Sequence, residues 1–367
     1  VSRLPISRCL HSRGQATRLL AALVGFVLLQ GANVAPALIL DAGDGQGNTD
    51  PPPDDPGWSH VGHHLGGPSV IYLGNRWVLT ADHVGASIVF IQGRRFNPVA
   101  GSLVQLHREL TDVEESKSAE TRQEGSEENS EEPRRSDLLL FRIDGDPGLP
   151  ILPIAALTPK IGENALLIAG GSSRGPRVSL YSPGLAIRDG FHWHQDDTMR
   201  WGSNLVDRGP TWVEHQDTNT RAFPLVFDRL EDRNSTPDEA AAGLGDSGGA
   251  VFTRANPILP ETGWVLSGLL FSVASDFSQP PETTFYGNIT WVADLSHYRE
   301  EIRRHVWPKC EDRDPRRGLA PDCSALRFPD SQSMSRIMAL AGASGLLLVF
   351  LWMLIRRRGG EASQPER

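Results

Sequence analysis

The sequence predicts an all-β fold, a sandwich or a pair of barrels closed by one C-terminal helix, and two observations carry that expectation. Short runs rich in branched and aromatic residues recur along the chain with Gly and Asn between them, and only one long stretch shows helical spacing. Many short strands with almost no helix leave sheets packed on sheets or closed on themselves. With 367 residues, 39% of them hydrophobic and 22% charged, the chain can bury a core of ordinary globular size.

The β runs fall at Ser69 to Leu73, Trp77 to Thr80, Ser87 to Ile91, Leu138 to Ile143, Ala165 to Ile168, Val178 to Tyr181, Gly249 to Phe252 and Trp264 to Phe271. Gly74-Asn75, between the first two, reads as a hairpin turn. The helix follows Asp294, a side chain suited to capping it, and places Leu295, Tyr298, Ile302 and Val306 on one face for docking against the sheets. A domain boundary is expected near Trp307.

The two ends read as targeting segments. Residues 1–37 join four arginines and no acid to an apolar run, Leu19 to Leu29, and end at Ala35-Pro36-Ala37, the layout of a secretory signal. Eleven apolar residues are too few to span about 30 Å of hydrocarbon. Ile337 to Ile355 is long enough, carries no charge and runs into Arg356, Arg357 and Arg358, so a membrane helix is expected with its tail (356–367) in the cytoplasm and the preceding domain outside. The same run resembles the sorting tags of bacterial envelope proteins, which leaves open whether the anchor is retained or cut.

Leu38 to Gly57, rich in Gly, Pro and Asp, reads as an extended linker ahead of a domain over 58–307. Residues 112–132 hold nine acids against two bases and read as a solvated loop, without the alternation of a calcium-binding loop. Residues 308–336 form a stalk containing Cys310 and Cys323, the only possible intrachain disulfide once Cys9 leaves with the signal. The net charge of -9, from 36 Lys and Arg against 45 Asp and Glu, argues against nucleic acid as a partner, and no basic face stands out. No metal or cofactor set is expected. His192 and His194 lack a third ligand and read as a polar surface loop, Arg200 to Asn204 reads as a packed turn, and His60, His63 and His64 read as exposed.

Three segments carry chemistry. Gly245-Asp246-Ser247-Gly248-Gly249 surrounds one serine with glycines just before an apolar strand, a setting that exposes the hydroxyl and brings backbone N–H groups near a bound carbonyl. A serine hydroxyl is a weak nucleophile at neutral pH and needs a base oriented by a third group. Trp77 to His83 places a histidine at the end of a buried strand, and Ser136-Asp137-Leu138-Leu139-Leu140-Phe141 places an aspartate at the start of another. Each piece alone is common; together, in the order His83, Asp137, Ser247, they point to acyl transfer.

With these motifs the chain resembles the trypsin-like serine proteases of the chymotrypsin fold, over roughly Gly57 to Val306. Further matches are Trp264 to Leu269, like the strand lining the cleft, and Tyr286 before the last helix. Asp82 stands where alanine is usual, Val84 stands where animal members have a cysteine, and the family's core disulfides are absent, as in bacterial-type members. The resemblance implies two six-stranded antiparallel barrels with the site between them, no cofactor, and a polypeptide substrate. It implies Ser247 as nucleophile, His83 as base, Asp137 as orienting carboxylate, and the N–H groups of Gly245 and Ser247 as oxyanion hole. Ala241, Val273 and Thr284 would line a neutral, narrowed pocket for small or medium apolar side chains. Zymogens of this family pair a new α-amine with the aspartate before the nucleophile, here Asp246. No Ile-Val-Gly-Gly cleavage sequence is present, so either Leu38, exposed by signal removal, or another group serves. A catalytically silent binding homologue and an esterase or acyltransferase with the same triad are the competing readings.

Overall fold

The computed structural model describes residues 38–107, 135–181, 187–195, 198–256, 263–275 and 278–307. The expected signal segment, acidic loop, stalk, disulfide, membrane span and tail lie outside them. Among the described residues, no helix is long and apolar enough to cross a membrane.

The strands in chain order are β1 (Ile39–Leu40), β2 (Val61–His64), β3 (Ser69–Gly74), β4 (Trp77–Thr80), β5 (Val89–Ile91), β6 (Arg94–Phe96), β7 (Val104–His107) and β8 (Arg135–Arg142). The second half adds β9 (Asn164–Ala169), β10 (Ser172–Leu180), β11 (Arg188–Gln195), β12 (Arg200–Leu205), β13 (Thr211–His215), β14 (Thr218–Val226), β15 (Ala240–Ala241), β16 (Ala250–Arg254), β17 (Trp264–Ala274), β18 (Thr283–Phe285) and β19 (Ile289–Asp294). Helix α1 (Leu295–Val306) ends the described chain.

Two seven-stranded sheets dominate, in the orders β6-β5-β2-β3-β4-β8-β7 and β12-β9-β16-β17-β19-β14-β13. Smaller sheets pair β10-β11-β18 and β1-β15. Each large sheet closes on itself. In the first, Pro98 bridges Ile143 and the Val99 N–H donates to the Arg142 carbonyl at 2.8 Å, so residues after β6 meet the end of β8. In the second, Val206 bridges Leu225, joining the end of β12 to β14. The seven segments of each ring amount to the six expected strands. The strand that closes each ring is broken, and its second part, β7 or β13, continues along the same neighbour.

Alternation sorts the core. On β8, Leu139 and Phe141 point into the first barrel with Val70, Tyr72 and Val78, while Leu138 and Leu140 point out to pack with Phe252, Leu266, Leu269 and Phe271 of the second sheet. The barrels therefore share an apolar seam. Helix α1 seals it with buried Leu295, Tyr298, Ile302 and Val306, and Asp294 caps it by accepting the Ser296 N–H at 3.1 Å. The β3–β4 turn places Asn75 and Arg76 at φ of 51° and 65°, a two-residue hairpin geometry, and Asn75 Nδ2 donates to the Val306 carbonyl at 2.8 Å, tying the helix end down.

The segment read as an extended linker is instead part of the fold. Leu38, Ile39 and Leu40 are buried, and β1 pairs with β15. Arg174 holds the next residues by donating to the carbonyls of Leu40, Asp41 and Gly43 at 3.0, 2.7 and 2.9 Å. Asn48 Nδ2 donates to Asp238 at 2.9 Å. Three apolar residues ahead of a polar stretch anchor it, and composition averaged over the stretch hides them. Two further corrections concern local structure. His192 and His194 lie on β11 and the Arg200 to Asn204 turn is strand β12. His60 and His64 are buried: His60 Nδ1 pairs with the Tyr72 carbonyl at 2.9 Å, and desolvation pushes His64 down to about 4.

Candidate active site

His83 sits in a single 3-10 turn after β4, where the chain leaves the first barrel and turns along the seam. Asp137 lies near the start of β8, fully buried because β8 is covered by β14 on its seam side. Its own N–H donates to Thr220 Oγ1 of β14 at 2.8 Å. Ser247 follows β15, in the turn leading to β16. Gly245 and Gly248 in that turn have φ of 90° and 86°, a region that favours glycine. A Cβ at Gly248 would stand 1.9 Å from the Ser69 carbonyl oxygen.

These three elements bring the predicted residues into one hydrogen-bonded line. His83 Nδ1 lies 2.7 Å from Asp137 Oδ2, and His83 Nε2 lies 3.0 Å from Ser247 Oγ. The His83 backbone N–H donates to Asp137 Oδ1 at 3.0 Å. An ionised carboxylate only accepts, so the His83 proton is on Nδ1 and the Nε2 lone pair faces the serine hydroxyl. Burial pushes the Asp137 carboxyl up, but the donors on it, chiefly the His83 imidazole, bring it below its ordinary value. The backbone N–H groups of Gly245 and Ser247 make no hydrogen bond among the described residues, which leaves both to meet an incoming oxygen.

A second histidine, not anticipated from the sequence, reaches the same carboxylate: His215 Nδ1 lies 2.9 Å from Asp137 Oδ2. His83, Asp137 and His215 are thus three potential metal ligands within 4.8 Å of one another. The contacts of 2.7 and 2.9 Å are hydrogen-bond lengths, shorter than the roughly 3.3 Å between ligands set tetrahedrally at about 2.0 Å from zinc, so the arrangement fits shared protons. Behind the serine turn stands His64. Its Nε2 meets Thr80 Oγ1 at 3.2 Å, Thr80 donates to the Ser69 carbonyl at 3.0 Å, and the Ser69 N–H donates to the Ser247 carbonyl at 2.9 Å, a chain supporting the serine turn from behind.

Asp246 points away from the line into the second barrel, fully buried. It accepts the Gly243 N–H at 2.7 Å and the Leu38 N–H at 3.2 Å. Burial pushes its carboxyl up to about 7, against the pull of those donors and of Arg200. Leu38 has φ of 36°, strained for a branched side chain. Ala241, Val273 and Thr284 together line one cavity of about 170 Å³, with Trp193, Asn288 and Thr290 among the other residues of its wall. Trp193 Nε1 donates to Thr284 Oγ1 at 2.8 Å, which fixes the indole as one side.

The solved structures similar to this chain include serine proteases. The Rv3671c protease from M. tuberculosis in its active form is 13% identical, with a TM-score of 0.35 over 65% of this chain and 73% of that one. Mouse neuropsin, a serine protease of the limbic system, is 15% identical, with a TM-score of 0.33 over 65% and 87%. Human heparin binding protein is 13% identical, with a TM-score of 0.38 over 67% and 91%. No protein-family model matches the chain, and no curated protein does. At these values the reading of the site rests on its own geometry.

Proposed function

We propose that the chain is a serine endopeptidase that works through an acyl-enzyme. The observation that carries this is the line from Ser247 Oγ to His83 Nε2 at 3.0 Å and from His83 Nδ1 to Asp137 at 2.7 Å. In that reading Ser247 Oγ attacks the scissile carbonyl as His83 takes its proton, and the oxyanion is received by the N–H groups of Gly245 and Ser247, on the order of 3 kcal/mol for each donor. His83 then protonates the leaving amine, and a water activated by the same imidazole releases the acyl group. Asp137 keeps the imidazole in the required tautomer and stabilises its cation.

The reading extends to processing and placement. A cut after Ala37 would make Leu38 the first residue. It would replace an amide donor at Asp246 with an α-ammonium, and it would abolish the strained torsion because a first residue has no φ. Export by the leader and anchoring by Ile337 to Ile355 are supported by the sequence pattern of those segments. The cavity lined by Ala241, Val273 and Thr284 supports small or medium apolar side chains before the cut.

The test is fluorophosphonate treatment of the protein starting at Leu38, with intact-mass detection, followed by parallel peptide and ester turnover. Labelling of wild type but not of Ser247→Ala, with peptide cleavage, is the expected result. Absence of labelling leaves a binding homologue, and ester turnover alone leaves an esterase.

A further inference from the structure

We propose that His215 is a positioning residue that holds the Asp137 carboxylate from the second barrel while His83 holds it from the first, a role that rests on the triad reading above. One oxygen, Asp137 Oδ2, takes both imidazoles, at 2.7 Å from His83 Nδ1 and 2.9 Å from His215 Nδ1. Because that oxygen can only accept, each ring carries its proton on Nδ1. The other oxygen, Oδ1, takes the His83 backbone N–H at 3.0 Å. The carboxylate is therefore held at three points, with Asp137 itself fully buried.

The surroundings of His215 are built to aim it. It ends β13, and Thr218 Oγ1 donates to its carbonyl at 2.7 Å across the turn into β14, the strand whose Thr220 receives the Asp137 N–H. Its ring meets the edge of Phe271 at 6.3 Å between centroids and crosses the His83 ring at 5.1 Å and 73°. Arg135, at the start of β8, bridges Asp82 beside His83 and Asp217 beside His215, at 3.5 and 3.7 Å, so both histidine turns are tethered to the strand that carries Asp137.

The consequence is chemical. A second N–H on Oδ2 keeps the buried carboxylate ionised and stops it rotating, so that its lone pair stays on the His83 Nδ1 proton as His83 gains charge. His215 touches no reacting atom, and its loss is expected in kcat rather than in KM.

The experiment compares wild type with His215→Phe, which removes the donor at similar bulk, and His215→Gln, which restores an N–H. Imidazole 15N–1H spectra of wild type are expected to show two strongly downfield Nδ1–H signals. In His215→Phe one disappears and the other moves, and kcat falls about tenfold to a hundredfold with KM within about twofold of wild type. His215→Gln recovers most of kcat. An unshifted His83 signal with unchanged kcat in His215→Phe overturns the proposal. So do equal losses in both variants accompanied by equal drops in melting temperature, which mark a merely structural residue. If wild type turns over no acyl substrate, the protease reading falls and the spectra alone still decide whether both rings share the carboxylate.

Discussion

The backbone N–H of Leu38 donates to Oδ1 of Asp246 at 3.2 Å, a contact closed across 208 residues of sequence. Asp246 immediately precedes the serine at the centre of the proposed chemistry, and its other oxygen holds Gly243 at 2.7 Å. What occupies the Leu38 nitrogen, an amide or an ammonium, therefore bears on the shape of the turn that supplies the Gly245 and Ser247 N–H groups.

Protein whose first residue is Leu38 is expected to turn over substrate at least about a hundredfold faster than protein with residues retained before it, on the order of 3 kcal/mol for an ion pair made in place of a buried carboxyl held by backbone N–H groups. Matched kinetics on the two forms, with the N-terminus verified by mass, checks this. Equal rates would separate Leu38 from activity.

The same pair predicts opposite responses to pH. In the uncut chain Asp246 is pushed up to about 7 by burial, above its unfolded value, so between about pH 4 and 7 the folded state holds the extra proton. Stability then falls as pH rises through that window. Glu239, also pushed up to about 7 by burial against its bonds from Thr236 and Asp228, adds the same trend in both forms. In the cut chain the ammonium removes the Asp246 contribution. Melting temperatures from pH 4 to 8 should fall more steeply for the uncut form, and parallel curves would contradict the assignment.

Asp137→Asn is expected to keep the fold and lower kcat by about a thousandfold or more. An amide placed where Oδ2 now accepts two N–H groups presents a donor to at least one ring. That favours a proton on Nε2 of His83, which then no longer accepts from Ser247. Circular dichroism together with steady-state kinetics checks it; a loss carried by a rise in KM alone would be the wrong signature.

The cavity lined by Ala241, Val273 and Thr284 offers a specificity test. Ala241 is buried in its wall, and Ala241→Asp would set a carboxylate there. Cleavage after Lys or Arg should rise relative to cleavage after Ala or Val by at least about tenfold, read from a fluorogenic peptide panel. An unchanged ranking would show that this cavity does not receive the side chain before the cut.

The expected catalytic residues were legible because each stands in a short stretch with its own local logic. Glycines bracket Ser247, and buried strands run up to His83 and away from Asp137. Helix α1 was legible for the same reason, its cap and its apolar face lying within a dozen residues. His215 had no such signature. It becomes significant only through the pairing of β13 with β14 and the packing of β14 on β8, relations between distant segments that no local pattern encodes. Leu38 to Leu40 were hidden by the Gly, Pro and Asp that follow them. Their burial depends on a slot formed beside Ala240 and Ala241 two hundred residues later. The break in each closing strand was hidden because β7 and β13 resume along β8 and β14 only after an irregular stretch, a pairing that no local pattern encodes.

Asp137 also draws its partners from both halves of the molecule: His83 from the first barrel, His215 and Thr220 from the second. If the halves were to separate, the acid would lose its far-side partners and gain water at once, and the imidazole beside it would lose its alignment. Mechanical integrity of the seam and readiness for chemistry are thus fastened by one rivet, and a solute or mutation that pries the barrels apart should silence the protein well before either barrel melts.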